Sequence, residues 1–196
     1  MNKKIAITGG IGSGKSLVLN CLKELGYPTY SCDEIYKEIR NSKAYLESIE
    51  NLFPDCVEGG ILNTEKLAKE VFSNPISLQK LNCLSHPLIM DTLLRCMEAE
   101  KAKLVFAEVP LLFEGNHEGL FHETIYVKRN LEKRIEAIIQ RDNLSRESIL
   151  NRINNQFDCE SEDGKTRLHV CHAHIIENDG DIEDLKKQLI NILDSF

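Results

Sequence analysis

One short stretch, Gly9-Gly10-Ile11-Gly12-Ser13-Gly14-Lys15-Ser16, restricts the possible folds of this chain more than any other. It fits the pattern Gly, four residues, Gly-Lys-Ser, and its flanks give the pattern meaning. Lys4-Ile5-Ala6-Ile7-Thr8 reads as a short buried strand. Leu17, Val18, Cys21, Leu22 and Leu25 then recur at helical spacing until Gly26 can end the helix. Strand, glycine-rich turn and helix therefore follow in the order a phosphate-binding loop requires. The glycines allow successive N–H groups to point at one centre, and the helix N-terminus adds partial positive charge there. Lys15 is placed to reach the β- and γ-phosphates of a nucleotide, and the Ser16 hydroxyl to take a position on Mg²⁺. Gly12, Ser13, Gly14 and Leu17 offer backbone amides. An incidental glycine-rich βα turn is the alternative, and the flanking strand and helix weigh against it.

The remaining chain alternates strands with helices. Tyr27–Ser31, Lys103–Val109, Thr124–Val127 and Ala173–Glu177 read as four further strands. That alternation predicts an α/β fold of three layers, a five-stranded parallel sheet between helices. Residues 34–102 read as mostly helical, with breaks at Pro54-Asp55, Glu58-Gly59-Gly60 and Asn74-Pro75, and with Ser85-His86-Pro87 interrupting the last helix. So long a helical block exceeds a simple crossover and is expected to be a substrate-side insertion within a single domain spanning 1–196. Asp33 follows the second strand, at the edge of the sheet where ligands of open α/β folds sit. Position alone leaves open whether it faces the phosphates or caps the helix that starts at Glu34. His86, taken alone, reads as structural more readily than as functional. Glu108 and Glu114 end the third strand and can approach metal or substrate, or pair with a lysine.

Arg134 and Arg141 lie seven residues apart on an expected helix, so both leave nearly the same face. Asn143-Leu144-Ser145 ends that helix, and Ser145 can cap the next, which carries Arg152 and Gln156. A solvated helix face is one reading. Beside a phosphate loop, a lid over residues 129–160 is the stronger one, because arginines folded over a nucleotide exclude water and offset transferring charge. His169, Cys171, His172 and His174 are expected on a strand, split between its two faces, which does not make a zinc site.

A net charge of −7 argues against a nucleic-acid binder. No apolar run spans a bilayer, no signal segment precedes the first strand, and the seven cysteines include no Cys-x-x-Cys pair. These features predict a reduced, cytoplasmic enzyme with no membrane contact; nothing in the sequence identifies protein partners.

Taken in order, the motifs resemble the dephospho-CoA kinase family along essentially the whole chain. The likeness is carried by Ile7 to Ser16, Asp33, Gly59-Gly60-Ile61-Leu62, Val71-Phe72, His86-Pro87, Pro110-Leu111-Leu112-Phe113-Glu114, Arg141-Asp142, Arg152 with Gln156, and Asn178-Asp179-Gly180. The chain departs from the family pattern at Leu17, where Thr is common, and at Glu108, where Asp is usual. It departs again at Asn63-Thr64, for Asp-Arg, and at Ala173-His174, for Ala-Asp. The resemblance implies transfer of the ATP γ-phosphoryl group to the ribose 3′-hydroxyl of dephospho-CoA, with Mg²⁺. It implies that Lys15 follows the moving charge, Asp33 orients the attacking hydroxyl, Arg141 stabilises the transferring group, and His86 and Glu114 serve the acceptor. Arg134 is a weaker candidate for the role of Arg141. A P-loop kinase acting on a nucleoside monophosphate or shikimate is the nearest rival; a switch GTPase is disfavoured because no Asn-Lys-x-Asp motif is present.

Overall fold

The computed structural model describes residues 2–196. Strand β1 (Lys3–Thr8) runs into the glycine-rich loop and helix α1 (Lys15–Glu24). Strand β2 (Thr29–Ser31) passes without a break into α2 (Cys32–Ile39). Next come α3 (Lys43–Leu52), the two-residue strands β3 (Val57–Glu58) and β4 (Ile61–Leu62), α4 (Thr64–Ser73) and α5 (Pro75–Ala99). The chain continues with β5 (Leu104–Glu108), β6 (Glu123–Lys128), α6 (Leu131–Asp142) and α7 (Arg146–Asn154). It closes with α8 (Glu162–Val170), β7 (Ala173–Glu177) and α9 (Ile182–Leu193). Two compact units result, one of residues 1–29 with 100–196, the other of residues 30–99.

The sheet has the order β2-β5-β1-β6-β7, and β5, β1, β6 and β7 lie within the first unit. β1 is its centre: Ile5 lies beside Phe106 of β5 and Glu123 of β6, both pairings parallel. The five strands expected from the sequence are the strands of this sheet. Strand alternation sends Ile5, Ile7, Ile125, Val127 and Ile176 to one face, where they meet Val18, Cys21 and Leu22 of α1 and Leu185 and Leu189 of α9. Leu22 is fully buried there, which contributes about 2 kcal/mol. Tyr126 alternates onto the other face, 6.2 Å from Phe113 and 6.0 Å from Phe157. Phe113 and Phe157 stack at 3.9 Å, and the Arg167 guanidinium of α8 lies 5.2 Å from the Phe113 ring. Arg167 is held there by Glu118 and by the Phe113 carbonyl.

Local chemistry sets the helix ends. Gly26 adopts φ +86° after α1; its N–H reaches Lys23 O while the Tyr27 N–H reaches Leu22 O, so the last carbonyls of the helix are satisfied. Asn143, also left-handed, ends α6, and the Ser145 hydroxyl accepts from Ser148 N to start α7.

In the second unit Tyr45, Ile49, Phe53, Cys56, Val57, Leu67 and Val71 form the core. The buried Tyr45 hydroxyl lies 2.8 Å from Ser85 Oγ and donates to Tyr36 Oη at 3.4 Å, tying α3 to α5 and α2. Burial pushes the Tyr45 hydroxyl well above the usual phenol range. One expected break is met here and another is corrected. The break at Glu58-Gly59-Gly60 is the turn of a β-hairpin, because both glycines take positive φ, +60° and +77°, as a tight turn between antiparallel strands demands. Ser85-His86-Pro87 does not interrupt a helix: α5 passes straight through Pro87. A proline costs an interior helix about 3 kcal/mol. Burial of Ser85, Met90, Leu93 and Met97 along the same helix offsets that cost.

A second correction concerns the histidine cluster. His169 lies on α8 and His172 in the turn after it with φ +48°, so only His174 is on β7. Ser161, whose hydroxyl accepts from Gly164 N, starts α8, and buried Gly164 and Leu168 hold it against its surroundings. Among the described residues, no helix is long and apolar enough to cross a membrane.

Candidate functional site

The glycine-rich loop leaves the C-terminal end of the central strand, where α1 begins. Gly14 has φ +95°, and a Cβ at this position would lie 2.2 Å from Asn178 Nδ2. Gly9 has φ +146°, and a Cβ there would lie 2.3 Å from the Val127 carbonyl oxygen. Side chains at either point would force the loop away from β6 and from the turn after β7. Buried Asn178 donates to Ser13 O at 2.8 Å, fixing the loop's far side.

Lys15 folds back over the loop, its Nζ 3.0 Å from Gly9 O and 3.2 Å from Gly10 O. Its charge therefore lies over the mouth of the amide cradle. Ser16 Oγ donates to Glu108 Oε1 at 3.2 Å. Glu108 is 8% exposed and ends β5 in register with Ile7, so the parallel pairing brings its carboxylate to the helix N-terminus. A hydroxyl and a carboxylate are the hard oxygen donors that Mg²⁺ selects, so Ser16 and Glu108 together fit this ion. The sequence alone placed Glu108 near the strand end; the register adds that its carboxylate meets Ser16.

The two arginines of α6 part company. Arg134 Nε donates to Ile11 O at 2.9 Å, and its guanidinium covers Gly10. Burial lowers its pKa from the ordinary arginine value. Arg141 lies at the opposite end of the helix, exposed, and makes two 2.8 Å bonds to Asp142. That pairing raises the Arg141 pKa, with a smaller contribution from the Glu108 carboxylate. A cleft of about 400 Å³ lies beside the loop, lined by Gly10, Ser13, Arg129, Arg134, Gln156 and Cys159 among others. Gln156, expected on the helix that carries Arg152, lies instead just beyond the end of α7, and both it and Asn178 are hydrogen-bonded to the loop itself.

Glu114 accepts from Phe157 N at 3.0 Å and borders Gly9 and Gly10. Gly12, Ser13, Gly14, Lys15, Ser16, Leu17, Glu114 and Arg141 thus all belong to the sheet-bearing unit. Asp33 and His86 belong to the other. Asp33 is the second residue of α2; position 31 takes the cap place, which corrects the reading of Asp33 as an N-cap. His86 lines a cleft of about 370 Å³ with Leu78, Asn82 and Pro87, and burial lowers its pKa.

Comparison with known proteins gives the family and the fold. A family model described as dephospho-CoA kinase matches residues 3–184. A dephospho-CoA kinase of Thermus thermophilus is 39% identical over 96% of this chain and 89% of its own length. A crystal structure of the Thermus thermophilus protein TT1252 superposes with a TM-score of 0.81 at 37% identity, covering 100% of this chain and 98% of that one. A dephospho-CoA kinase from Campylobacter jejuni superposes with a TM-score of 0.72 at 25% identity, over 100% of this chain and 97% of that one.

Proposed function

This chain belongs to the dephospho-CoA kinase family, and on that premise we propose that its phosphate loop holds ATP for phosphoryl transfer to the ribose 3′-hydroxyl of dephospho-CoA, yielding CoA and ADP. The match of the family model over residues 3–184 is the observation that carries this reading. The protein is an ATP-dependent kinase of the P-loop type.

Each side chain then takes a role that its surroundings support. Backbone amides from Gly12 to Leu17 bind the phosphates. Lys15, now over the Gly9 and Gly10 carbonyls, moves its charge with the γ-phosphoryl group. Ser16 and Glu108 hold Mg²⁺ or its water shell; bound there, the ion neutralises charge on the β- and γ-phosphates. In the transfer, the 3′-hydroxyl oxygen bonds to the γ-phosphorus as the bond to the β–γ bridging oxygen breaks. Asp33 accepts the hydroxyl proton, its main contribution being orientation, since a loose transition state needs little prior deprotonation. Arg141 turns from Asp142 to the transferring group. That exchange is inexpensive, because a solvent-exposed ion pair contributes only about 0–1 kcal/mol. His86 and Glu114 each serve the acceptor, as the family resemblance implies.

The test is ADP release with Mg-ATP, comparing dephospho-CoA with AMP, adenosine and shikimate. Turnover confined to dephospho-CoA, with CoA as the product, is expected. Turnover on another acceptor alone overturns the substrate while leaving the fold intact.

A further inference from the structure

Ile11 is the only large apolar residue between Gly9 and Gly14. The structure holds it at every available point. Its N–H donates to Gln156 Oε1 at 2.8 Å. Its carbonyl accepts from Arg134 Nε at 2.9 Å. Its side chain packs against the small core of Ile135, Ile138 and Ile149, beside Leu144 and Ile153. Arg134 and Gln156 also approach each other, Nη2 to Oε1 at 3.5 Å, so the clamp closes on itself. One further contact reaches the loop from the same side, from Arg129 Nη1 to Gly12 O at 3.4 Å.

A loop with three positive-φ glycines among its residues is costly to order, and a binding site pays that cost either in advance or at each encounter. Neither Arg134 nor Gln156 needs to touch the nucleotide to change this balance. We propose that Arg134 and Gln156 are positioning residues that, through Ile11, preset the phosphate loop in its polyphosphate-binding shape, so that ATP affinity depends on the packing of residues 131–156. The inference rests on the reading of this loop as the ATP site. It has a reciprocal consequence: ATP must stabilise the packing of α6 and α7 by the same free energy that their packing contributes to ATP binding.

The experiment measures binding of a non-hydrolysable ATP analogue with Mg²⁺ to wild type, Gln156→Met, Ile11→Ala and the double variant, by calorimetry and without acceptor. Gln156→Met keeps the side-chain length and loses the acceptor, so the analogue should bind about fivefold more weakly, the worth of one net hydrogen bond. Ile11→Ala should weaken it at least as much, and the double variant less than the product of the two, because both act on one residue. KM for ATP should rise in parallel, by a larger factor than any fall in kcat. A melting temperature that falls while analogue affinity stays at the wild-type value would mean that the clamp only stabilises the fold, and would overturn the proposal. Should Ile11→Ala fail to fold, hydrogen exchange of wild type decides: the analogue must slow amide exchange in 144–156, and no change there overturns the coupling. Wild type that binds the analogue but does not turn over dephospho-CoA sinks the acceptor and leaves this inference standing. Wild type that fails to bind the analogue sinks the nucleotide loop and the inference with it.

Discussion

The two ends of α6 carry the same residue type in opposite circumstances. At its start Arg134 is half-buried, bonded to a backbone carbonyl of the loop and covered by neighbours. At its end the Arg141 side chain is 63% exposed and ion-paired with the adjacent Asp142. The first guanidinium has replaced water by fixed partners, and moving it would strand Ile11 O. The second can exchange one exposed carboxylate for a phosphoryl group at little cost. The contrast separates an arginine fixed against the loop from one held only by an exposed ion pair.

Substitutions can break or sharpen this contrast. The largest effect belongs to Arg141→Ala, expected to lower kcat by about 10³-fold while leaving ATP affinity intact, as for arginines that stabilise a transferring phosphoryl group. Equal loss of ATP affinity and kcat, read from single-turnover kinetics and calorimetry, would make the two arginines equivalent. Asp33→Ala should lower turnover by about 10²-fold with ATP binding retained, the range for a positioned acid–base group; a matching loss of ATP affinity would assign Asp33 to the nucleotide. Arg134→Met should do the reverse of Arg141→Ala, weakening ATP binding by about tenfold with a smaller change in kcat, since a hydrogen bond from a charged donor is worth about 1.5–3 kcal/mol. Asp142→Asn is the mildest: removing an exposed partner should alter kcat by no more than about threefold. A larger loss there would show that Asp142 orients Arg141 for transfer.

Much of this was legible beforehand. The loop from Gly9 to Ser16 is contiguous, so its chemistry can be read from adjacent letters, and the apolar strands that flank it announce a parallel sheet. The motif order from Asp33 to Asn178 identified the family. What could not be read was long-range register. Glu108 meets Ser16 only because β5 lies beside β1, and Gln156 meets Ile11 only because the chain after α7 returns to the loop. The spacing of Arg134 and Arg141 correctly puts them on one helix, yet helical phase cannot say that one end abuts the loop and the other faces solvent. The helix through Pro87 was hidden for a related reason: a local signal for a break was outweighed by burial of residues further along α5.

The sequence by itself determined the phosphate loop, the α/β class and the family, because each depends on local patterns or on the order of motifs along the chain. Only the tertiary structure decided which carboxylate joins Ser16, which arginine braces Ile11, and which stays exposed at Arg141. Those assignments depend on contacts between residues far apart in the chain, where burial and hydrogen-bond partners, rather than residue type, fix what a side chain can do.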